Sequence, residues 1–435
     1  MKPYPRYKPF PELWMTRVPE HWSRRKIKYL FSERNEKGFP NESLLAATQN
    51  HGVIPKTDYE NRTVEALKDL HLLKLVRVGD FVISLRSFQG GIEYAYHQGI
   101  ISPAYTIMIP SENIDSGFFR HLAKSAPFLD LLRLCVTGIR EGQNIDYERL
   151  KNHYIPLPPP SEQDRIVRYL DEKTAAIDEL VRAKEREIEL LRERKQALVS
   201  AAVIGRDIST KCPFGRDAST IRPGCGRAVG ASLPVYRLKE LVRFFKGLNI
   251  TKADLIPEGA NVISYGQIHS KENDGRSLKD SFLRHTSFEL TNDAARLFFG
   301  DIVFADTSED QTGIGNCVLN DRHEPVWAGY HTVTARPRDP EIAPYLAILF
   351  QSNWWRDQLR RSSDGVKVYS VTQRSLGNTR VVLPLLPEQR RIVAHLDSVC
   401  ADFAAGEAAI RKQISLLQEL RTRLVSDAVT GAVEV

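Results

Sequence analysis

One stretch of the chain is written twice, and that duplication limits the possible folds more than any composition does. Residues 158–205 read PPPSEQDRIVRYLDEKTAAIDELVRAKEREIELLRERKQALVSAAVIG. Residues 384–431 read PLLPEQRRIVAHLDSVCADFAAGEAAIRKQISLLQELRTRLVSDAVTG. The copies align without a gap, 226 positions apart, with about twenty of 48 positions identical. Glu162 and Gln163 answer Glu388 and Gln389, and Leu198-Val199-Ser200 answers Leu424-Val425-Ser426. A chain of two like halves can fold about an internal pseudo-two-fold axis and present two similar surfaces.

Each copy predicts one long helix. The first places apolar residues at Ile166, Leu170, Ile177, Val181, Ile188, Leu191 and Leu198. The second places them at Ile392, Leu396, Val399, Phe403, Ile410, Ile414, Leu417 and Leu424. Steps of three, four and seven are the seam of a coiled coil. Lys173, Lys184, Lys195, Gly406 and Arg421 interrupt it. Ser161 suits a cap for the first helix, Pro387 the first turn of the second, and Gly205 and Gly431 the two exits. About forty residues give a rod of roughly 60 Å. Its apolar stripe needs a partner. The copy in the same chain is favoured over a second molecule, because linkage raises its effective concentration.

The other two segments, residues 1–157 and 234–383, read as α+β modules. Short β-type runs at Phe81–Ser84, Tyr105–Ile109, Val262–Ser264, Ile302–Phe304 and Thr332–Thr334 alternate with turns. Helical pieces fall near 117–124 and 344–356. The modules echo each other: Gly79-Asp80 answers Gly300-Asp301, each a turn before a strand, and Leu150 and Asn152 answer Leu376 and Asn378. Residues 206–233 are rich in Gly, Ser, Thr and Arg and read as a linker. The expected organisation is therefore module 1–157, helix 158–205, linker 206–233, module 234–383 and helix 384–435. The fold class is α+β, with two globular modules separated by two long helices packed as an antiparallel coiled coil.

A chain of 435 residues is too long for one ordinary core. No apolar run long enough to span a bilayer is present, and the N-terminus lacks a signal-peptide core. A cytoplasmic location is the expectation. Cys135, Cys212, Cys225, Cys317 and Cys400 are scattered and form no paired ligand set, so no metal site is expected and the thiols read as free. The net charge is +7, yet the helical copies are near neutral, so the basic excess sits in the remaining segments. Two basic modules on neutral struts suit a polyanion, and duplex DNA has matching two-fold character.

No P-loop, amino-methyltransferase motif, nucleophile elbow or H-E-x-x-H occurs, and no catalytic residue is assigned. Base reading needs side chains that fork or donate in a groove. Polar loops beside the β-runs supply candidates: Arg86, Ser87 and Gln89, then Arg140, Glu141, Gln143 and Asn144, in the first module. In the second they are Gln267, Ser308, Gln311, Thr312, Lys367 and Tyr369. Glu162, Gln163, Glu388 and Gln389 recur at the helix starts. They serve either partner docking or capping and helix-pair contacts.

On these marks the chain resembles the specificity subunit of type I restriction-modification enzymes over essentially its full length. The most specific are Pro-x-x-x-Glu-Gln-x-Arg-Ile-Val, at Pro158 to Val167 and again at Pro384 to Val393, and the Leu-Val-Ser…Gly exits. The module openings, Val18-Pro19-Glu20-His21-Trp22 and Tyr236-Arg237-Leu238-Lys239-Glu240-Leu241, are similar too. The resemblance implies two target recognition domains that each read half of a split double-stranded DNA sequence. It implies helices that set the gap and methyltransferase subunits that methylate adenine with S-adenosylmethionine. It further implies a separate restriction subunit that translocates and cuts DNA with ATP and Mg, and a specificity subunit that catalyses nothing and binds no cofactor. The rival readings are a non-DNA coiled-coil scaffold displaying two binding domains and an enzyme with an unrecognised site.

Overall fold

The computed structural model describes residues 2–49, 51–58, 69–85, 87–137, 144–205, 233–362 and 368–435. Arg86, Arg140, Glu141, Gln143 and Lys367 lie outside the described residues, as does the linker apart from Leu233.

Each module is built on a four-stranded antiparallel sheet. In the first, β1 (Phe31–Arg34), β2 (Phe81–Ile83), β3 (Glu93–Tyr94) and β4 (Thr106–Pro110) lie in the order β1-β4-β2-β3. In the second, β5 (Val242–Lys246), β6 (Ile302–Ala305), β7 (Cys317–Leu319) and β8 (Thr332–Pro337) lie in the order β5-β8-β6-β7. The registers correspond: Phe81 faces Met108 across β2 and β4, and Ile302 faces Ala335 across β6 and β8. All five β-type runs of the sequence are strands. The sheets cover helix pairs at Ser116–Leu122 with Ala126–Leu134, and at Ala343–Gln351 with Asn353–Ser362.

The Gly-Asp turns work alike in both. Gly79 and Gly300 take φ of +96° and +88°, a conformation that side chains with a Cβ resist. The carboxylate that follows then turns back to accept the N–H three residues earlier: Arg77 to Asp80 at 2.8 Å, Phe298 to Asp301 at 2.8 Å. Each aspartate is buried and also holds an arginine of the same sheet, from the next strand but one in the first module and from the adjacent strand in the second. Arg34 reaches Asp80 at 2.8 and 3.1 Å, and Arg336 reaches Asp301 at 2.8 Å through both Nε and Nη2.

The long helices run from Pro160 to Val203 and from Leu386 to Val429. Contacts divide the chain into two units, residues 1–184 with 412–435, and residues 185–411. Each unit thus holds one module, the start of one long helix and the end of the other. In the first unit Ile166, Leu170, Leu424, Val425, Ala428 and Val429 enter the module core. In the second, Val199, Ala202, Val203, Ile392 and Leu396 do the same. Start beside end within a unit is antiparallel pairing. Each long helix thus contributes to both units, because a lone amphipathic rod has no core to close on.

The seam is tightest over the first half of each helix and loosens beyond it. Ile166, Leu170, Ile177, Ile188, Ile392, Leu396, Phe403 and Ile410 are buried, while Leu191, Leu198, Ile414 and Leu417 are half-buried. Near its exit the first helix buries Val199 instead of Leu198, since there it faces a module core rather than only a partner helix. Arg421, a break in the apolar pattern, pairs with Asp178 across the helices at 2.9 Å, and Arg192 pairs with Glu407. Both partners of the Arg421 pair are partly exposed. Arg421→Leu should therefore change thermal stability by less than about 1 kcal/mol.

The recurring helix-start residues are committed inside each unit. Gln163 and Gln389 are buried and donate back to Pro158 O at 2.9 Å and Pro384 O at 2.7 Å. Gln163 also accepts the Asp115 N–H at 2.8 Å. Glu162 is buried on Tyr4 and on His21, the latter at 2.8 Å. Burial pushes the Glu162 carboxyl up, but the hydrogen bonds from Tyr4 and His21 outweigh it and leave the group below its ordinary range. Ser161 does not cap the first helix: the Pro159 carbonyl accepts the N–H groups of Glu162 and Gln163, both at 2.9 Å. Leu385 O serves Glu388 and Gln389 in the same way. Gly205 and Gly431 close the helices at φ of +75° and +71°.

Candidate nucleic-acid interface

Both modules build a polar face at one edge of the central sheet, where β2 or β6 ends. In the first module the chain leaves β2 through Ser84 into a short helix, Ser87–Gly90, which lies against the strand Asn144–Ile145. In the second it leaves β6 through Asp306 into Thr307–Ser308, which pairs with Tyr369–Ser370. Val371 N–H then closes on Asp306 O at 2.7 Å. Asn144 and Ser370 stand 226 residues apart, the offset of the repeat. The same edge is therefore assembled twice from segments far apart in sequence.

The candidates divide by role. Gln89 and Asn144 are exposed, on two elements that touch. Gln311 and Thr312 are exposed, and Gln311 Nε2 reaches Tyr369 OH at 3.5 Å. Ser87 does not belong with them. It is buried, and its hydroxyl accepts the Ser84 N–H at 2.8 Å, which closes the turn ahead of the short helix. Ser308 is likewise buried and donates to Asp310 O at 2.7 Å. Gln267 is half-buried and turned back to the Ser264 N–H at 3.3 Å. A polar residue in a turn is as readily consumed by the turn as presented by it.

The sequence reading missed several residues of this face. Asp310 is exposed, and its Oδ1 accepts the Thr312 hydroxyl at 2.6 Å and the Gly313 N–H at 2.7 Å. Those bonds hold its carboxyl below the ordinary range, so it stays charged. Asp at the first place and Gly at the fourth is a turn signature that Asp310-Gln311-Thr312-Gly313 did display. His269 reaches Thr307 O at 2.8 Å from a segment 38 residues away, which no local spacing announces. His331 takes a positive φ of 54°, pairs with Asp306 at 3.2 Å and meets the Tyr265 ring at 5.4 Å.

Gln and Asn fork to the edge of adenine, and a carboxylate accepts from the cytosine amino group, so such faces suit base reading in a major groove. Among the described residues no group of His, Cys, Asp and Glu is placed to hold a metal ion, and no helix is long and apolar enough to cross a membrane. Burial pushes the Cys135 and Cys317 thiols up, to about 11 and about 12.

Known proteins match this arrangement. The family model for the type I restriction modification DNA specificity domain matches twice, at residues 19–190 and 233–416. The EcoKI specificity subunit of Escherichia coli strain K12 is 22% identical over 333 residues, which cover 75% of this chain and 67% of that protein. Among solved structures, a chain from a type I R-M system studied for complex assembly and conformational transition superposes with a TM-score of 0.68 at 18% identity. The match covers 96% of this chain and 99% of that one. The HsdS subunit from Thermoanaerobacter tengcongensis gives a TM-score of 0.50 at 18% identity, over 96% and 98%.

Proposed function

We infer, since this chain belongs to the type I restriction-modification DNA specificity family, that each module reads one half of a split duplex target and the paired helices set the gap. The observation that carries the reading is the twice-built polar edge, at equivalent positions of two matching sheets whose exposed residues differ. Like scaffolds with unlike side chains suit two different half-sites. Each contact alone is weak; linkage makes the second intramolecular.

The residues proposed to read bases are Gln89 and Asn144 in the first module, and Asp310, Gln311, Thr312 and Tyr369 in the second. Arg86, Arg140, Gln143 and Lys367 remain proposed on sequence alone. In this reading the chain catalyses nothing. Methyltransferase subunits supply adenine methylation from S-adenosylmethionine, and a restriction subunit supplies ATP- and Mg-dependent translocation and cleavage. A cytoplasmic location follows from that role.

Inserting one helical turn after Ala183, with a matching turn before Lys412, lengthens each rod by about 6 Å. The accepted gap should grow by about two base pairs. Selection on random duplexes should return both half-sites unchanged at the new spacing; an unaltered gap removes the spacer role.

A further inference from the structure

The loop Ser308–Asn316 presents Asp310, Gln311 and Thr312, and a chain of hydrogen bonds runs beneath it. Arg356 starts the chain. Its Nη1 donates to Thr312 O at 3.3 Å and to Asn316 Oδ1 at 2.9 Å, its Nε to Phe350 O at 3.0 Å and its Nη2 to Gln351 Oε1 at 2.6 Å. All four acceptors are neutral. Asn316 Nδ2 then faces His269 Nδ1 at 3.1 Å, and His269 Nε2 faces Thr307 O at 2.8 Å. Gly313 lies on the ring: a Cβ there would stand 3.0 Å from His269 Cε1 and 2.5 Å from Ser308 Oγ. Arg360 Nε adds a bond to Gln311 O at 3.1 Å.

The directions of these bonds are forced. Thr307 O only accepts, so His269 Nε2 carries a hydrogen. Arg356 only donates, so Asn316 turns its oxygen to Arg356 and its amide nitrogen to His269. Neutral His269 then offers a bare Nδ1 to that N–H, and every group is satisfied. Protonation places a hydrogen on Nδ1, where it meets the Asn316 donor. Flipping Asn316 only moves the conflict, because its nitrogen would then face Arg356. The other charged or titratable groups near His269 are Asp310 on the loop, Tyr265 at 6.2 Å, and the His331–Asp306 pair beyond Tyr265.

We propose that His269, Asn316 and Arg356 are positioning residues for the second module's base-reading loop, and that protonation of His269 releases it. The inference rests on the reading of this loop as a DNA contact. The second half-site is then recognised while Asn316 donates to a bare His269 Nδ1, and it loses definition when a hydrogen on that atom breaks the bond.

The test is selection of random duplexes by the full chain at about pH 8 and about pH 5.5, which brackets the usual histidine range. Wild type should return a two-part motif at the higher pH and a degraded second half at the lower. His269→Gln keeps a donor and an acceptor but no titration, so its second half should persist at both. His269→Ala should weaken binding to the wild-type motif about tenfold, with the first half intact. Asn316→Asp inverts the sign. One carboxylate oxygen still accepts from Arg356, while the other needs a hydrogen on His269 Nδ1, so the second half should sharpen at the lower pH. A second half equally defined in all variants at both pH values overturns the proposal, as does Asn316→Asp behaving like wild type. A wild-type selection with no two-part motif at either pH overturns the underlying DNA reading instead.

Discussion

Replacing Asp80 by alanine should destabilise the first module by about 3–5 kcal/mol, the usual cost of leaving one partner of a buried ion pair behind. Asp80 is 2% exposed and Arg34 7%. The carboxylate fills both Nε and Nη2 of Arg34 and also takes the Arg77 N–H, so alanine orphans two charged donors and one backbone donor. Arg34 does not escape by losing its proton, because a guanidinium keeps its charge in a protein. Its remaining partner is Glu36, on Nη1.

Asp301→Ala repeats the cut in the second module and should cost about half as much. The Arg336 side chain is 27% exposed. It lies between the rings of Phe245 at 4.5 Å and Phe298 at 4.4 Å, and it also donates to Arg296 O at 2.9 Å. Water, two aromatic faces and a carbonyl remain after the carboxylate goes. Native-state hydrogen exchange at the amides of β2 and β6 measures the two modules separately. Equal losses would mean that exposure does not govern the cost. The double variant Arg34→Met with Asp80→Leu should recover much of the Asp80→Ala loss, since no unpaired charge stays buried.

What the sequence disclosed follows physical lines. The long helices were legible because an apolar stripe every three to four residues, sustained over forty positions, matches the turn of an α-helix and no strand or loop. The Gly-Asp turns were legible because a left-handed glycine followed by a carboxylate solves a local problem. β1 and β5 were not: Phe31-Ser32-Glu33-Arg34 and Val242-Arg243-Phe244-Phe245-Lys246 interleave apolar and charged residues and look like loop until a sheet supplies an inner face. The candidate interface was half legible. Exposed polar residues in loops were found as a class, but composition cannot tell Ser87, which a turn consumes, from Gln89, which a turn presents. The supporting chain was illegible, because His269, Asn316 and Arg356 are joined only by the fold.

The first module holds its own loops by a different device, and Lys124→Met should expose it through pH. The Lys124 ammonium donates to Gln49 O at 3.1 Å, Gly90 O at 2.8 Å and Glu93 Oε1 at 2.5 Å, which ties the short helix Ser87–Gly90 to its neighbours. Glu93 is 2% exposed. Burial pushes its carboxyl up to about 7 although Lys124 pulls the other way, and burial likewise lowers Lys124. The folded chain therefore holds the Glu93 proton more tightly than the unfolded chain, whose carboxyl ionises near 4.5. That contribution to stability is full below about pH 4.5 and is lost as pH rises through about 7. Removing Lys124 leaves the carboxylate without its counter-charge, so the loss extends to higher pH. The cost of Lys124→Met should approach 3–5 kcal/mol at about pH 8 and shrink at about pH 5, where a protonated Glu93 needs no counter-charge. Glu93→Gln combined with Lys124→Met should cost the same at both, because only the carbonyl bonds to Gln49 and Gly90 are then missing. Denaturant titrations of the full chain at the two pH values, followed by hydrogen exchange at the β2 amides, measure this. A Lys124→Met cost that does not change with pH would mean that Glu93 stays charged whatever surrounds it.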